Sequence, residues 1–259
     1  MNEHDLRKAL AGLPLGDLRY FDRTGSTNDV ALAWATEGVP DLGLVCADEQ
    51  TAGRGRGSRR WFSPPGAALA FSLVMRPSPE EEKFVPRFSG LGALSVADAL
   101  GELKLHPEIK WPNDILLRRR KVSGILVESV WAGEKVDSLV LGIGLNVRPQ
   151  AVPPGVQLNF PATSLEAEAG QSVDRLGLLR NILEALLRWR PLLPTQAFLH
   201  AWEEHLAFRG EQVEVWAEGM PFRPGRLEGL DEDGSLRLRT PQGGIISLQF
   251  GEVHLRPVV

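Results

Sequence analysis

Residues 115–130 read ILLRRRKVSGILVESV, a short apolar run, four consecutive cations and a longer apolar run. Two β-like pieces, Ile115 to Leu117 and Gly124 to Val130, are separated by the basic turn Arg118-Arg119-Arg120-Lys121. Adjacent strands joined by so short a turn can only pair antiparallel, because a parallel pair needs a crossover of a dozen or more residues. Ser138 to Val147 continues the same pattern downstream. Upstream, Phe88 to Leu103 carries small and apolar residues at helical spacing, consistent with a helix packed on a sheet. Ala67 to Met75 is a continuous apolar run suited to a central strand, and Leu44 to Ala47 and Leu18 to Phe21 read as further strands. Glu3 to Leu10 is a short helix closed off by Gly12 and Pro14. Gly25-Ser26-Thr27-Asn28-Asp29 is a turn feeding a helix, with Ser26 or Thr27 placed to cap it.

After the Pro- and Gly-punctuated stretch Gln150 to Thr163, two helices are expected, Arg175 to Trp189 and Thr195 to Phe208. Then the character changes. Gln212 to Trp216, Arg223 to Gly229, Ser235 to Arg239, Gly244 to Phe250 and Val253 to Arg256 are short, turn-bounded and strand-like, the spacing of a small all-β barrel. The pattern as a whole predicts an α+β fold: a mixed sheet with helices on one face over residues 1–208, then a small barrel over 209–259.

The 259 residues carry 43% hydrophobic and 24% charged side chains and a net charge of −4, which disfavours a general nucleic-acid binder. The single cysteine, Cys46, excludes an intrachain disulfide and suits a buried small hydrophobe. No apolar run is long enough for a membrane span, and the charged first ten residues do not resemble a signal peptide, so a cytoplasmic protein is expected.

Chemistry concentrates in a few clusters. Gln50 to Trp61, QTAGRGRGSRRW, combines alternate glycines at Gly53, Gly55 and Gly57 with four arginines, a loop able to hold an anion and fold over it. Ser26-Thr27-Asn28 offers small donors and acceptors suited to a urea or amide, although helix capping accounts for Ser26 and Thr27 equally well. Lys110-Trp111-Pro112-Asn113-Asp114 brings an amide and a carboxylate out at a turn. Lys121 precedes an apolar strand and is placed to reach into a cleft. Gly142-Ile143-Gly144-Leu145-Asn146 puts two glycines inside a strand, where they weaken it unless something approaches closely.

In this order, STN, QxAGRGR, WxSPxG (Trp61 to Gly66), KWPND, KxxGILxE and GxGxN resemble the biotin protein ligases, from about Leu18 to Asn146. The resemblance implies a class II synthetase-like catalytic domain and an SH3-like C-terminal barrel. It implies that biotin and ATP, with Mg²⁺, give biotinyl-5′-AMP, and that a lysine of a biotin carboxyl carrier protein then takes the biotin. Carried over by position, Ser26, Thr27, Asn28, Gln50, Gly53, Arg54, Gly55, Arg56, Lys121 and Gly124 belong to the biotin side. Arg54, Arg56, Trp61, Lys110, Asn113, Lys121, Asn146 and Phe160 belong to the ATP side. Lys121, Arg54, Arg56 and Asp114 are the expected catalytic residues, and no protein metal ligand is expected. Phe160 serves either as the group stacking on adenine or as a residue closing onto the core. Only 25 residues precede Ser26, so a ligase without the family's DNA-binding domain is expected, with no DNA or membrane partner; pairing of two copies is compatible with the resemblance. A lipoate ligase is the nearest rival, disfavoured by the GRGRG loop and KWPND.

Overall fold

The computed structural model describes residues 1–154, 160–217, 223–249 and 253–257. The hairpin expected at residues 115–130 forms β5 (Asp114–Leu117) and β6 (Arg120–Ala132), turned at Arg118 and Arg119, both with left-handed φ (47° and 62°). β6 runs on into β7 (Lys135–Asn146) through a second hairpin. With β1 (Asp17–Thr24), β2 (Gly43–Gln50), β3 (Ala68–Met75) and β4 (Pro107–Lys110) they build a seven-stranded sheet in the order β1-β2-β3-β7-β6-β5-β4. Only the β1–β2 pair is parallel, joined by α2 (Thr27–Thr36).

All eight residues of β3 are buried, as a continuous apolar run at the centre of a sheet should be. Alternation along the strands divides the core. Leu44, Cys46, Phe71, Leu73, Leu141 and Ile143 pack with α3 (Phe88–Glu102) and α5 (Arg175–Trp189), joined by Leu6 of α1 (Glu3–Ala9) and by Phe198 and Trp202 of α6 (Gln196–Glu204). This is the helical layer expected on one face. On the other face Val45, Val74 and Val140 meet Ala31, Trp34 and Ala35 of α2, which lies beside the cleft described below. Burial pushes the Cys46 thiol up to about 12, consistent with an inert core residue.

Two elements escape a reading based on apolar pattern. β4 offers Pro107, Glu108 and Lys110 at a sheet edge, where polar residues and proline are tolerated because one side needs no ladder partner. α4 (Leu165–Ala169) is too short to show periodicity.

The C-terminal strands β8 (Gln212–Ala217), β9 (Arg223–Leu230), β10 (Leu236–Arg239), β11 (Ile245–Leu248) and β12 (Val253–Pro257) form a second, antiparallel sheet in the order β11-β10-β9-β8-β12, which fits the expected small barrel. Phe250 of the expected fourth strand and residues 155–159 of the punctuated stretch lie outside the described residues.

The turn between β9 and β10 rests against the seven-stranded sheet domain. Gly234 O accepts from Trp111 Nε1 (3.0 Å), and Glu232 O accepts from Arg87 Nε (2.9 Å). Arg87 is 2% exposed and also donates to Leu193 O at 2.6 Å. Arg87→Ala takes a charged donor from the buried Leu193 carbonyl as well as from Glu232 O, so thermal denaturation should show a lower Tm and a loss of about 3 kcal/mol.

Candidate active site

Three stations follow one another along β7 on the α2 face of the sheet. Gly142, Gly144 and Asn146 are two residues apart, so their side-chain positions point the same way. A Cβ on Gly142 would overlap Asn28, and one on Gly144 would overlap the Trp61 indole. The two glycines expected to admit a close approach therefore admit a side chain of α2 and a side chain of the Gly/Arg loop. A cleft of about 340 Å³ opens over these stations. Ser26, Thr27, Asn28, Gln50, Arg54, Gly55, Arg56, Trp61, Lys110, Asn113, Asp114, Lys121, Gly124, Asn146 and Phe160 all line it. Gly53 does not; it sits where a Cβ would collide with Trp61 O, and its own carbonyl accepts from Trp61 N at 2.8 Å.

The first station is a wall of neutral hydrogen-bonding groups. Ser26 occupies the N-cap position of α2 with extended backbone, but its hydroxyl makes no capping bond. Gln50 intervenes: its Oε1 accepts from Thr27 N (2.8 Å) and lies 3.0 Å from Thr27 Oγ1. Capping therefore does not account for Ser26, whose hydroxyl is left for the cleft. Asn28 is 5% exposed and bonds Glu128 Oε2 through Nδ2 at 2.8 Å. Its Oδ1 lies 2.6 Å from Ser72 Oγ.

The Gly/Arg loop doubles back on itself, with Gly55 N donating to Arg59 O (2.8 Å) and Gly57 at φ 61° near its tip. Arg54 sits within it but is already partnered. Its Nη1 and Nη2 donate to the two Glu128 carboxylate oxygens at 2.8 and 2.6 Å, and its Nε lies 2.8 Å from Asp29 Oδ1. Arg56 reaches the other way, placing Nη1 3.5 Å from Asn113 Oδ1. Trp61 covers the middle station, and its buried Nε1 has no hydrogen-bond partner among the described residues.

The charged end is built around Asp114. Lys121 Nζ lies 2.5 Å from its Oδ1 and Lys110 Nζ 3.4 Å from its Oδ2. Burial pushes the Asp114 carboxyl up, but Lys121 and Lys110 outweigh it and hold it below the ordinary range. Burial likewise pushes the Lys110 ammonium below its ordinary value; Asp114 opposes this and Lys121 adds to it. Lys121 lies inside β6, where the end of the punctuated stretch adds to its backbone: Lys121 N donates to Pro161 O (2.7 Å) and Thr163 N to Lys121 O (2.9 Å). That docking carries Phe160 to 5.2 Å from Lys110 Nζ, where it lines the cleft and also touches the core. Asn113 Nδ2 donates to Ile125 O at 2.7 Å and Asn146 Nδ2 to Thr163 O at 3.1 Å, so both amides are fixed at the rim.

Among the described residues no three His, Cys, Asp or Glu side chains gather as a metal set, and both Asp114 oxygens face lysine. The side chains present thus do not form a Mg²⁺ site of their own. Arg59 and Arg60, two of the loop's four arginines to which the sequence assigned no individual role, also line the cleft, as does Phe62, which sequence reasoning left out. Ser72 and Glu128 stand behind its wall.

A family model described as the biotin/lipoate A/B protein ligase family matches residues 20–146. The biotin–[acetyl-CoA-carboxylase] ligase of Paracoccus denitrificans is 39% identical over 85% of this chain and 93% of its own length. The bifunctional ligase/repressor BirA of Bacillus subtilis is 35% identical over 94% of this chain and 76% of its own length. The structure of the biotin protein ligase from Aquifex aeolicus in complex with biotin and ATP superimposes with a TM-score of 0.78 at 31% identity, covering 93% of this chain and 99% of that one. With relatives this similar over three quarters or more of their own length, the chain belongs to the biotin protein ligase family.

Proposed function

We propose that the three stations along β7 perform the two half-reactions of an ATP-dependent biotin protein ligase. The enzyme joins biotin to ATP as biotinyl-5′-AMP and passes biotin to a lysine of a carboxylase carrier protein. The observation that carries the site assignment is the position of Lys121. Its ammonium is anchored on Asp114 beside Gly124, which pairs with Gly144 at the middle station, with neutral acceptors at Gly142 on one side and rim amides at Asn146 on the other.

That order suits the reaction. Ser26, Thr27, Asn28 and Gln50 take the ureido head of biotin, which directs its carboxylate toward Lys121. One carboxylate oxygen attacks the α-phosphorus and the bond to pyrophosphate breaks. Two anions must meet, and a fixed ammonium lowers the barrier most where negative charge develops at the transferring phosphoryl. Arg56, Asn113, Asn146 and Lys110 face the nucleotide, Trp61 closes the middle of the cleft, and Phe160 is the aromatic placed to meet adenine. Arg54, committed to Glu128 and Asp29, acts by fixing the base of the loop. Mg²⁺ would arrive with ATP, held by phosphates and water, and would neutralise phosphate charge there. No role given to this chain's residues depends on it.

In the second half-reaction the carrier amine attacks the acyl carbon and AMP leaves. Asp114 is placed to orient that amine. The division at residue 208 separates the two sheets, and we assign the catalytic work to residues 1–208. No described helix is long and apolar enough to cross a membrane; we place the activity in the cytoplasm, with two copies able to pair through the sheet.

An acyl adenylate that escapes will acylate stray amines, so the Gly/Arg loop also has a retaining role. Arg56→Gly should still make the adenylate but release it. Biotin transfer to serum albumin should rise severalfold above wild type; no rise would count against retention by Arg56.

A further inference from the structure

Behind the wall of the first station stands a carboxylate that contacts none of the reacting atoms. Glu128, on β6, receives the bidentate fork of Arg54 and, on Oε2, the amide of Asn28 at 2.8 Å. A carboxylate paired in this way is an acceptor only, so the end of Asn28 that faces it must be the NH₂ group. Asn28 Oδ1 is thereby turned to Ser72, buried at 0% exposure in the centre of β3. An amide oxygen cannot donate, and the 2.6 Å contact therefore consumes the single Ser72 proton.

The next link follows. Ser72 Oγ is also 2.8 Å from Thr27 Oγ1, and with its proton spent it can only accept there. Gln50 Oε1, fixed by the Thr27 backbone N–H, can likewise only accept from the Thr27 hydroxyl. The one Thr27 proton therefore goes inward to one of these two acceptors, and no proton is sent back to its oxygen. We infer that Glu128 is a positioning residue that sets the direction of hydrogen bonding through Asn28 and Ser72, leaving Thr27 to present oxygen lone pairs to the cleft. Such a wall selects a head group with N–H donors, and the inference rests on the ligase reading of the cleft given above. A neutral amide in place of Glu128 permits Asn28 to flip. Asn28 then donates to Ser72, the Ser72 proton turns to Thr27, and a lone pair meant for the ligand is taken.

The test is steady-state adenylation by Glu128→Gln, Ser72→Ala and the double variant, with thermal melts confirming folding. Glu128→Gln should raise the KM for biotin about tenfold, the loss of one good hydrogen bond, whereas Ser72→Ala removes the hydroxyl whose proton would turn to Thr27 and should stay within about twofold. The KM for ATP and kcat at saturating biotin should stay within about twofold, since ground-state recognition is what changes. Because the loss in Glu128→Gln runs through the Ser72 proton, the double variant should recover most of it. General structural damage would instead lower kcat through a smaller active fraction. An unchanged biotin KM in folded Glu128→Gln overturns the inference. So does a double variant as impaired as Glu128→Gln alone, which would mean that Glu128 acts through Arg54 and not through Ser72. Should Glu128→Gln not fold, Ser72→Ala decides by itself: a biotin KM within about twofold of wild type supports the relay and a tenfold rise overturns it. Failure of the wild-type chain to form any biotinyl-AMP would be a different result, and would remove the ligase reading itself.

Discussion

Lys121→Ala should lose roughly 10²- to 10³-fold of adenylate formation while the protein stays folded, the loss found when a fixed charge-stabilising donor is taken from a reaction centre. The magnitude follows from the surroundings. Lys121 lines the cleft beside Asp114, and its ammonium lies 5.6 Å from the Trp61 ring, so few water molecules can replace it. Removing it also leaves Asp114 with only Lys110 and the weaker influence of Arg59, and burial then favours the protonated acid more strongly. The deficit should appear in kcat as well as in kcat/KM, since the interaction grows as charge develops in the transition state. Pyrophosphate release at saturating biotin and ATP reads it directly. Unchanged release would remove Lys121 from its assigned role.

Gly142→Ala should abolish measurable biotin binding, a drop of at least about a hundredfold, and cost about 1–3 kcal/mol of stability by overpacking. The added methyl would occupy the place of Asn28 Oδ1, which is held by Ser72 and whose amide nitrogen is held by Glu128. Neither the strand nor α2 can withdraw easily, because Val140 of the same strand packs against Ala31 and Trp34 of that helix. Asn28 must therefore leave the wall. Gly101→Ala, near the end of α3 with open space around its Cβ position, is the contrasting change and should leave binding intact. Titration calorimetry with biotin compares the two.

Much of the architecture was legible in residue order. The basic turn between Leu117 and Gly124 forced an antiparallel pair, and the apolar run at 67–75 became a wholly buried strand. The site was legible where chemistry departs from structural need: glycines inside β7, arginines alternating with glycine, and polar residues at the start of α2. Lys121 was expected just ahead of its strand and lies within β6, because the tight turn at Arg118 and Arg119 lets pairing start at Arg120.

What stayed hidden depends on partners distant in sequence. Ser72 was read only as part of an apolar run, although it is the one hydroxyl in the strand AALAFSLVM and that exception was the available signal. Glu128 belonged to a quoted motif, but nothing local says that Arg54 and Asn28 converge on it from 74 and 100 residues away. For the same reason nothing local shows that the Arg54 guanidinium, which lines the cleft, is also held by two protein carboxylates.

The central claim is that one cleft brings a carboxylate and a phosphate into reaction and then shelters the mixed anhydride. Native mass spectrometry of the protein after incubation with biotin and MgATP tests it most directly. A retained adduct with the mass of biotinyl-5′-AMP, formed by the wild-type chain and absent from Lys121→Ala, is the predicted result. A spectrum showing biotin and ATP bound but never joined, or the same adduct in both proteins, would contradict it.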